Sequence, residues 1–419
     1  MKNSKALISF VLTMASANIF AGTLKSPFDL PSSKVLPKGI RNFNYYGVLA
    51  DANTKFDAEG NKVVLADPFF KKLNFGDLVN GKRDDEGSVE AGKLKGYLKS
   101  NGYNLDDSIG STTGAVNVDA KANVPILAYG ISRKFTLAVA VPIYTIEVSA
   151  NSSFQANQAL NNFANLLNTD GKENKALDAE TKLQDPIGKK LRDYGYKPLS
   201  NERYTKLGDV RVIGKWLVLD KPKQALAFVP SLTLPTGYTG DIDRAVTVPT
   251  GDSQLDVGVG FNHDFFISSE FTLSNSVSYT MELADKVAGR VPFRADSRLT
   301  PDKDYSIKRD IGDSSMYQVA IKYENELGIN TGAAYALQYK EADTFRGSLY
   351  EQKRYDWMAA GTIQNMQSAQ VYLGYSTLPL FHQKRFPVPL QLGINHTRVL
   401  SGKNVTEDPL TALKFSMFF

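Results

Sequence analysis

Charged side chains within segments of alternating polarity are the residues whose types and spacing could do chemistry in this chain. Eleven of them fall on the predicted inward faces of strands: Asp119, Lys121, Arg211, Lys215, Asp256, Asp264, Glu282, Lys322, Glu324, Lys340 and Lys414. Five acids and six bases at such positions could brace one another as ion pairs, or could line a polar path and filter what passes along it. The two signs are too balanced to predict an ion selectivity.

Other reactive groups are few. The 419 residues include no cysteine and three histidines, which argues against thiol chemistry, disulfides and a histidine-built metal site. His263 and His396 have an outward register and His382 falls in a turn, so no histidine is placed to activate an inward serine. Asp241 and Asp243 could contribute to a calcium site, but calcium takes roughly six or more oxygen ligands. We therefore predict no catalytic residue, no cofactor and no metal.

The composition excludes several classes of protein. The 49 basic and 44 acidic side chains leave a formal charge of +5, without the concentrated basic face of a nucleic-acid binder. The hydrophobic content is 42%, without the repeated runs of about 20 apolar residues that a multi-helix membrane protein needs. The 23 Phe and 20 Tyr give the chain too much apolar surface for a disordered protein.

The first 21 residues have the features of a secretory signal peptide. Lys2 and Lys5 precede a short apolar stretch, which small residues follow. That stretch is too short to span a bilayer, so we predict cleavage after Ala17 or Ala21. The next segment, 22–39, contains three prolines, and it could form a small plug in a lumen or lie in the periplasm.

Strict alternation of apolar and polar residues predicts that the rest of the chain forms strands. In the clearest case Phe271, Leu273 and Val277 share one face, while Thr272 and Ser274 share the other. Twelve strands are predicted, at 40–50, 114–131, 134–149, 207–219, 224–236, 253–267, 271–285, 315–325, 329–342, 366–378, 388–400 and 409–419. Long polar loops lie at 51–113, 150–206, 237–252, 286–313, 343–365 and 401–408.

The regular exchange of short turns and long loops is typical of outer-membrane barrels. We therefore predict that residues 40–419 form an all-β, antiparallel transmembrane barrel with short periplasmic turns and partly helical extracellular loops. A further hairpin at 54–70 would raise the number of strands to fourteen.

Aromatic residues near the predicted short turns indicate a membrane interface. Seven lie on outward faces at matching depth: Phe135, Trp216, Phe265, Phe271, Tyr323, Tyr375 and Phe419. Such a girdle lies at the boundary between lipid and water, so we expect outer-membrane lipid to surround the barrel. In a soluble sandwich the charged faces would instead point into a core, which is costly.

Two long loops have helical periodicity. Within the insert 150–206 the apolar positions are Ala156, Leu160, Phe163 and Leu167, followed by Leu183, Ile187 and Leu191. The earlier loop carries Val89, Leu94, Tyr97 and Leu98. These helices could cover the mouth of the barrel or bind an apolar ligand, or they could pack on one another and on the rim.

The last strand ends at Phe419, with Phe415 and Met417 on the same face. This ending resembles the C-terminal signal of bacterial outer-membrane barrels. The resemblance implies that segment 409–419 is recognised by the barrel assembly machinery.

Motifs within 205–285 resemble those of a known family. They are Leu207-Gly208-Asp209-Val210 with Trp216, Leu232-Thr233-Leu234-Pro235-Thr236-Gly237, and Thr250-Gly251-Asp252-Ser253-Gln254-Leu255-Asp256-Val257-Gly258. With them the chain resembles the outer-membrane "MetA-pathway of phenol degradation" transporters and, more distantly, the outer-membrane transporters of long-chain fatty acids and toluene-like hydrocarbons. The resemblance implies passage of small aromatic or apolar compounds. The chain departs from the hydrocarbon transporters because it lacks their long N-terminal hatch and Asn-Pro-Ala signature.

Several functions are compatible with this barrel. The leading hypothesis is a passive outer-membrane channel for a small-molecule substrate that is apolar or aromatic. The alternatives are a closed barrel whose loops serve adhesion or envelope integrity, and a small general porin. An outer-membrane enzyme is a further hypothesis, which the lack of a nucleophile–base pair disfavours.

Overall fold

The computed structural model describes residues 17–18, 24–67, 70–80, 88–169, 186–295, 297, 299–407 and 409–419. Most of the predicted signal peptide therefore lies outside the described residues. The chain divides into two compact units. The first comprises residues 1–64, 117–148 and 201–419, and the second comprises residues 65–116 and 149–200.

Twelve long strands, some of them interrupted, run through the described residues. They are β1 Arg41–Ala52, β2 Ser108–Gly130, β3 Phe135–Ala140 with Ile143–Ala156, β4 Glu202–Leu207 with Val210–Lys221, β5 Gln224–Phe228 with Ser231–Leu234, β6 Asp256–Phe266, β7 Phe271–Glu282, β8 Ser314–Glu324, β9 Ile329–Lys340, β10 Gln364–Ser376, β11 Leu390–Lys403 and β12 Leu410–Phe418.

Neighbours in the chain pair antiparallel, and β12 pairs with β1 so that the sheet closes into a barrel. The closing register sets Asn42 opposite Phe418 and Ala50 opposite Leu410. The predicted twelve-stranded barrel is confirmed. The fourteen-stranded alternative is wrong, because Thr54–Phe56 and Lys62–Val64 form a separate small sheet with Val405–Thr406.

Three successive strands are interrupted where the sequence predicts continuity. β3 breaks at Val141–Pro142, and β5 breaks at Val229–Pro230. Proline has no backbone N–H to donate to a neighbouring strand, so it interrupts the hydrogen-bonded ladder. The carbonyl of Pro142 still accepts a bond of 2.8 Å from the amide of Gly208, where β4 is also interrupted.

The alternation within a strand sets its two faces. On β7, Val277, Tyr279 and Met281 are exposed, whereas Ser274 and Ser276 are buried. An outer surface of apolar side chains and an inner surface of polar ones is the arrangement of a barrel that lipid surrounds. Among the residues that the structure describes, no helix has the length and hydropathy needed to cross a membrane.

The described residues of the second unit form four helices, namely α1 Phe75–Asn80, α2 Ser88–Ser100, α3 Gln158–Thr169 and α4 Pro186–Asp193. The strand Lys71–Asn74 precedes α1. The core of this unit is apolar and includes Phe75, Val79, Leu98, Ile109, Leu160, Phe163 and Leu167. The helices thus bury their apolar stripes within the unit, as a helical face of this kind requires.

Most of the predicted helical positions fall inside these helices. Leu160, Phe163 and Leu167 are buried on α3, and Leu191 is buried on α4. Ala156 instead ends β3 and is exposed, because β3 runs farther than predicted. Leu183 and the side chains of Ile187 and Val89 lie outside the described residues.

The loops of the first unit carry further structure. Asp285–Arg290, Lys303–Asp310 and Thr344–Arg346 form a three-stranded sheet. Helix α5 Gln352–Asp356 and a 3-10 turn Trp357–Ala359 pack beside it, with Val291, Ile307, Tyr355 and Met358 as their core. Helix α6, Leu378–His382, lies in the turn between β10 and β11. Ala17–Asn18 pairs in parallel with Val246–Thr247.

Candidate functional site

Residues 24–38, which we call the strap, run inside the barrel as an extended segment. Near the long-loop ends of the strands, the Leu24 amide donates to Gln364 Oε1 at 2.8 Å. Gln338 Nε2 donates to the carbonyl of Lys25 at 3.1 Å. Both glutamines are buried on inward faces, so the strap begins against the inner surface of β9 and β10.

The middle of the strap is held by β11, β12 and β1. Thr397 Oγ1 donates to the carbonyl of Pro27 at 2.8 Å, and Asn395 Nδ2 donates to that of Phe28 at 2.9 Å. The Asp29 carboxylate accepts bonds from Lys414 Nζ at 3.0 Å and Tyr46 Oη at 2.6 Å. Asp29 thus joins the strap to two neighbouring strands through charge-assisted hydrogen bonds.

The lower strap is held by strands β4, β6 and β8. The carbonyl of Ser32 accepts from Lys215 Nζ at 3.0 Å and from Asn262 Nδ2 at 2.9 Å. Ser33 donates its amide and its hydroxyl to Asp264 Oδ2, at 2.9 and 2.7 Å. Lys322 Nζ donates to the carbonyl of Pro31 at 2.8 Å. These bonds join the wall to three consecutive residues of the strap, of which Pro31 and Ser32 accept and Ser33 donates.

The strap leaves the lumen at the short-turn end. The Leu36 amide donates to Thr136 Oγ1 at 2.8 Å, and the Gly39 amide donates to the Gly130 carbonyl at 2.8 Å. Fifteen extended residues reach about 45 Å, which exceeds the lipid-facing band of about 25 Å. The prolines of the strap favour this extended form, in which carbonyls stay free to accept bonds from the wall.

Five of the predicted inward charges contact the strap. Lys215, Asp264, Lys322 and Lys414 do so as described above, and Glu324 pairs with Lys34 at 3.0 Å. Asp264 also accepts a bond of 3.2 Å from Lys322. Asp264 is fully buried, so its charge is compensated by this ammonium and by hydroxyl and amide donors rather than by water.

Four more of these charges lie nearer the long loops. Lys340 forms an ion pair with Asp343, and Arg211 Nη2 donates to Ser231 Oγ at 2.9 Å. Asp256 lies directly opposite Glu282 on the neighbouring strand, and both are on inward faces. These residues make no hydrogen bond to the strap among those that the described part of the chain shows.

The two remaining predicted positions need correction. Asp119 and Lys121 are exposed on the outward face of β2. Val118, Ala122 and Val124 alternate with them and are buried inside the barrel. The prediction assumed that the polar face of each strand is the inner one, and on β2 the inner face is the apolar one.

The lumen therefore has an apolar side and a polar side. Tyr46, Val48, Ala122, Val124, Ala140 and Ala412 form an apolar cluster on β1, β2, β3 and β12. Phe28 of the strap packs against this cluster, with its ring 5.1 Å from that of Tyr46 in an edge-on contact. On strands β8, β10 and β11, the polar side is formed by Gln318, Gln370 and Asn395, which bond to one another at 3.0 and 3.1 Å.

The motifs that carry the family resemblance converge on Asp209. Its carboxylate accepts the amide of Gly237 at 2.8 Å. A Cβ on Gly251 would lie 2.5 Å from both of its oxygens, so any larger residue there would force this carboxylate to move. Thr236 Oγ1 donates to the carbonyl of Gly208 at 2.8 Å. The three motifs thus form one hydrogen-bonded cluster around Asp209, at the long-loop ends of β4, β5 and β6.

The predicted aromatic girdle lies on the outward face. Trp216 pairs with Phe135, and Phe271 pairs with Tyr323 at 5.0 Å between ring centres. Phe265, Tyr375 and Phe419 are exposed near the other short turns and the chain end. Two histidines are also outward, with His263 Nε2 3.2 Å from Gln224 Oε1 and His396 Nδ1 3.0 Å from Thr411 Oγ1.

Asp243 is engaged by cations rather than placed for calcium. Its Oδ1 lies 2.6 Å from Lys303 Nζ and 2.8 Å from Arg290 Nη2. Hydrogen bonding to Lys303 and then to Arg290 lowers the pKa of the Asp243 carboxyl below its ordinary value. Asp241 pairs with Arg244 at 3.6 Å. Both acids therefore brace the external loops.

Comparison with solved structures shows the fold. The COG4313 outer membrane channel from Pseudomonas putida F1 is similar over 94% of this chain and 100% of its own, with a TM-score of 0.53 and 12% identity. The Ralstonia pickettii toluene transporter TbuX has a TM-score of 0.34 at 8% identity, over 92% and 90% of the two chains. The Pseudomonas putida toluene transporter TodX has a TM-score of 0.31 at 8% identity, over 91% and 89%.

Other comparisons find no relative. No protein-family model matches the chain, and no curated protein matches it. Membership of the MetA-pathway family therefore stays a prediction. The likeness to the COG4313 channel establishes a shared barrel fold.

The sequence left two features of the site unassigned. Several strap contacts depend on carbonyl groups, which every residue has, so side-chain types could not reveal those contacts. The proline spacing in 22–39 was the available signal, because prolines favour an extended segment. Asp209 and Asp252 lie in the turn motifs and were not assigned a role, although each shortly precedes a predicted inward-facing charge, Arg211 and Asp256 respectively.

Proposed function

We propose that the chain is an outer-membrane channel for small apolar or aromatic molecules, which the strap holds closed. The observation that carries this proposal is the apolar side of the lumen, where Phe28 of the strap lies against Tyr46 and the small aliphatic residues around it. An aromatic solute could replace the Phe28 ring there, because both bury apolar surface against the same wall. Passive entry needs no cofactor or energy source.

A closed structural barrel is the second candidate. The hydrogen bonds that run along the strap favour it, because they would have to break before the lumen opens. The two candidates differ in whether the strap leaves its place under ordinary conditions. Both candidates share the proposed outer-membrane location and the proposed assembly through segment 409–419.

Uptake by whole cells tests the channel. Cells that express the chain are compared with cells that lack it, using a radiolabelled monoaromatic hydrocarbon and a pentose. The proposal predicts faster uptake of the aromatic compound with little change for the sugar. Equal uptake of the aromatic compound in both strains would favour the structural barrel, and faster uptake of both solutes would favour a general porin.

A pair of matched variants locates the path. Val124→Thr places a hydroxyl on the apolar side of the lumen, whereas Val319→Thr makes the same change on the outward face of β8. We expect aromatic uptake to fall severalfold in the first variant and to stay unchanged in the second. An equal effect of both substitutions would contradict passage along the apolar wall.

A further inference from the structure

Three carboxylates meet near the long-loop end of the lumen. Asp256 on β6 stands opposite Glu282 on β7, and on its other side it stands opposite Thr233 on β5. Asp252 precedes β6 by four residues. One carboxylate oxygen from each of Asp252, Asp256 and Glu282 lies within 4.8 Å of the others. The group is therefore compact enough to surround one ion.

Two oxygens of this group have no hydrogen-bond partner in the part of the chain that the structure describes. They are Oδ1 of Asp256 and Oε2 of Glu282. Asp256 is only 7% exposed, so water cannot compensate it freely. Two ionised carboxylates cannot donate to each other, and at this distance they repel. A buried pair of this kind needs a proton or a cation between its members.

The neighbouring cations only partly meet this need. The charge of Arg211 acts on Asp256 and Glu282, but its Nη2 donates to Ser231; Lys340 acts on Glu282 but forms its ion pair with Asp343. Lys25 of the strap lies within Coulombic range of Asp252 and Glu282. Lys25 lies at the outer end of the strap, beside Leu24, which donates one hydrogen bond to Gln364 and packs against Met366 and Val399.

We propose that Asp252, Asp256 and Glu282 bind a divalent cation of the calcium class in competition with the ammonium of Lys25. Three carboxylates supply the hard oxygen ligands that calcium prefers, and the flexible geometry of calcium tolerates water in the remaining positions. Magnesium demands a stricter octahedron and keeps more of its water, so it fits three converging carboxylates less well.

Cation binding would also act on the strap. Once the cation neutralises the acids, Lys25 loses its attraction to them, and the outer end of the strap is held by fewer contacts. This consequence rests on the proposed function, whereas binding itself does not. Binding is therefore measured separately from transport.

Equilibrium dialysis with radioactive calcium tests the site in the refolded full barrel in detergent. We expect one saturable calcium per chain. Glu282→Gln and Asp256→Asn are expected to weaken binding at least about tenfold, since each removes a charged ligand. Asp304→Asn is the matched control, because it removes a buried carboxylate of the loop sheet that accepts the Tyr355 hydroxyl and contacts neither the strap nor the three acids, and it is expected to bind calcium as the unchanged chain does.

Lys25→Met gives the sharpest outcome, because it removes a competitor and no ligand. We expect calcium to bind severalfold more tightly to this variant. Heat-modifiable mobility on a gel confirms that each variant is folded. Absence of saturable calcium binding in both the unchanged chain and Lys25→Met would overturn the proposal, as would binding that Glu282→Gln leaves intact. Unchanged affinity in Lys25→Met would overturn the competition.

Discussion

Lys414 Nζ lies 3.0 Å from Asp29 Oδ2, and this contact ties the last strand of the barrel to the middle of the strap. The same carboxylate accepts the hydroxyl of Tyr46 at 2.6 Å from β1. The two strands whose pairing closes the barrel thus also hold the strap. Closure of the sheet and occupation of the lumen are linked through one side chain.

Lys414→Met is expected to loosen the strap, because it removes the ammonium that compensates Asp29. A hydrogen bond to a charged group contributes about 1.5–3 kcal/mol, and we expect about 1 kcal/mol here since Asp29 is partly exposed to solvent. Urea unfolding in lipid vesicles measures this change. Adding Asp29→Asn to the variant is expected to cost less than the sum of the single changes, and full additivity would show that the two residues do not interact.

Thiol labelling follows the position of the strap, since the chain has no native cysteine. Ser33 is 1% exposed, whereas the side chain of Lys34 is 67% exposed. We expect Ser33→Cys to react with a water-soluble maleimide at least about tenfold more slowly than Lys34→Cys, because a thiolate must be accessible to react. Equal labelling rates in the folded barrel would mean that the strap does not stay in the lumen.

Gly251→Ala tests the hydrogen-bonded cluster around Asp209. The new methyl group would lie 2.5 Å from both carboxylate oxygens, so we expect it to destabilise the barrel by about 1–3 kcal/mol, the usual cost of overpacking. Thermal unfolding gives the measurement. Gly251→Ala is expected to cost less stability in a chain that already carries Asp209→Ala, because the clashing carboxylate is then absent. An equal cost in both backgrounds would show that the methyl group clashes with other atoms.

The ion pairs that Asp243 forms with Lys303 and Arg290 predict that the stability of the protein depends on pH. Lys303 and Arg290 lower the pKa of this carboxyl below its ordinary value of 3.8. The stability it contributes is therefore fully present above about pH 4 and is lost as the pH falls through the lowered value. Asp243→Asn is expected to lower the unfolding temperature at pH 6, and this effect is expected to shrink as the pH falls below about 4. A difference that stays constant across this range would contradict the ion pair.

The barrel itself was predictable from the sequence, because lipid demands an apolar outer face and alternation records it. Strand β2 shows where this reasoning fails. Val118, Ala122 and Val124 form its apolar face, and they pack inward on the apolar side of the lumen. A pattern of period two identifies two faces but does not say which one is inside, so Asp119 and Lys121 were assigned to the wrong one.

The contacts of the strap were beyond prediction for a different reason. Pro31 and Ser32 accept bonds through their carbonyls from Lys322 and Lys215, and no side-chain pattern records a carbonyl acceptor. Lys215 and Lys322 lie on inward faces, as their register predicted, but their partners in the strap are 183 and 291 residues away in the chain. Distances of that kind are set by the closed barrel and not by local spacing.

Single-channel conductance in a planar bilayer shows whether the strap closes the lumen. The mature chain is compared with a variant that lacks residues 24–36 and with a second variant that lacks residues 157–201, the loop between β3 and β4. We predict little steady conductance for the mature chain and a severalfold larger, steady conductance when the strap is removed, with no comparable rise when the loop is removed. Equal conductance of the mature chain and the strap deletion would contradict the account.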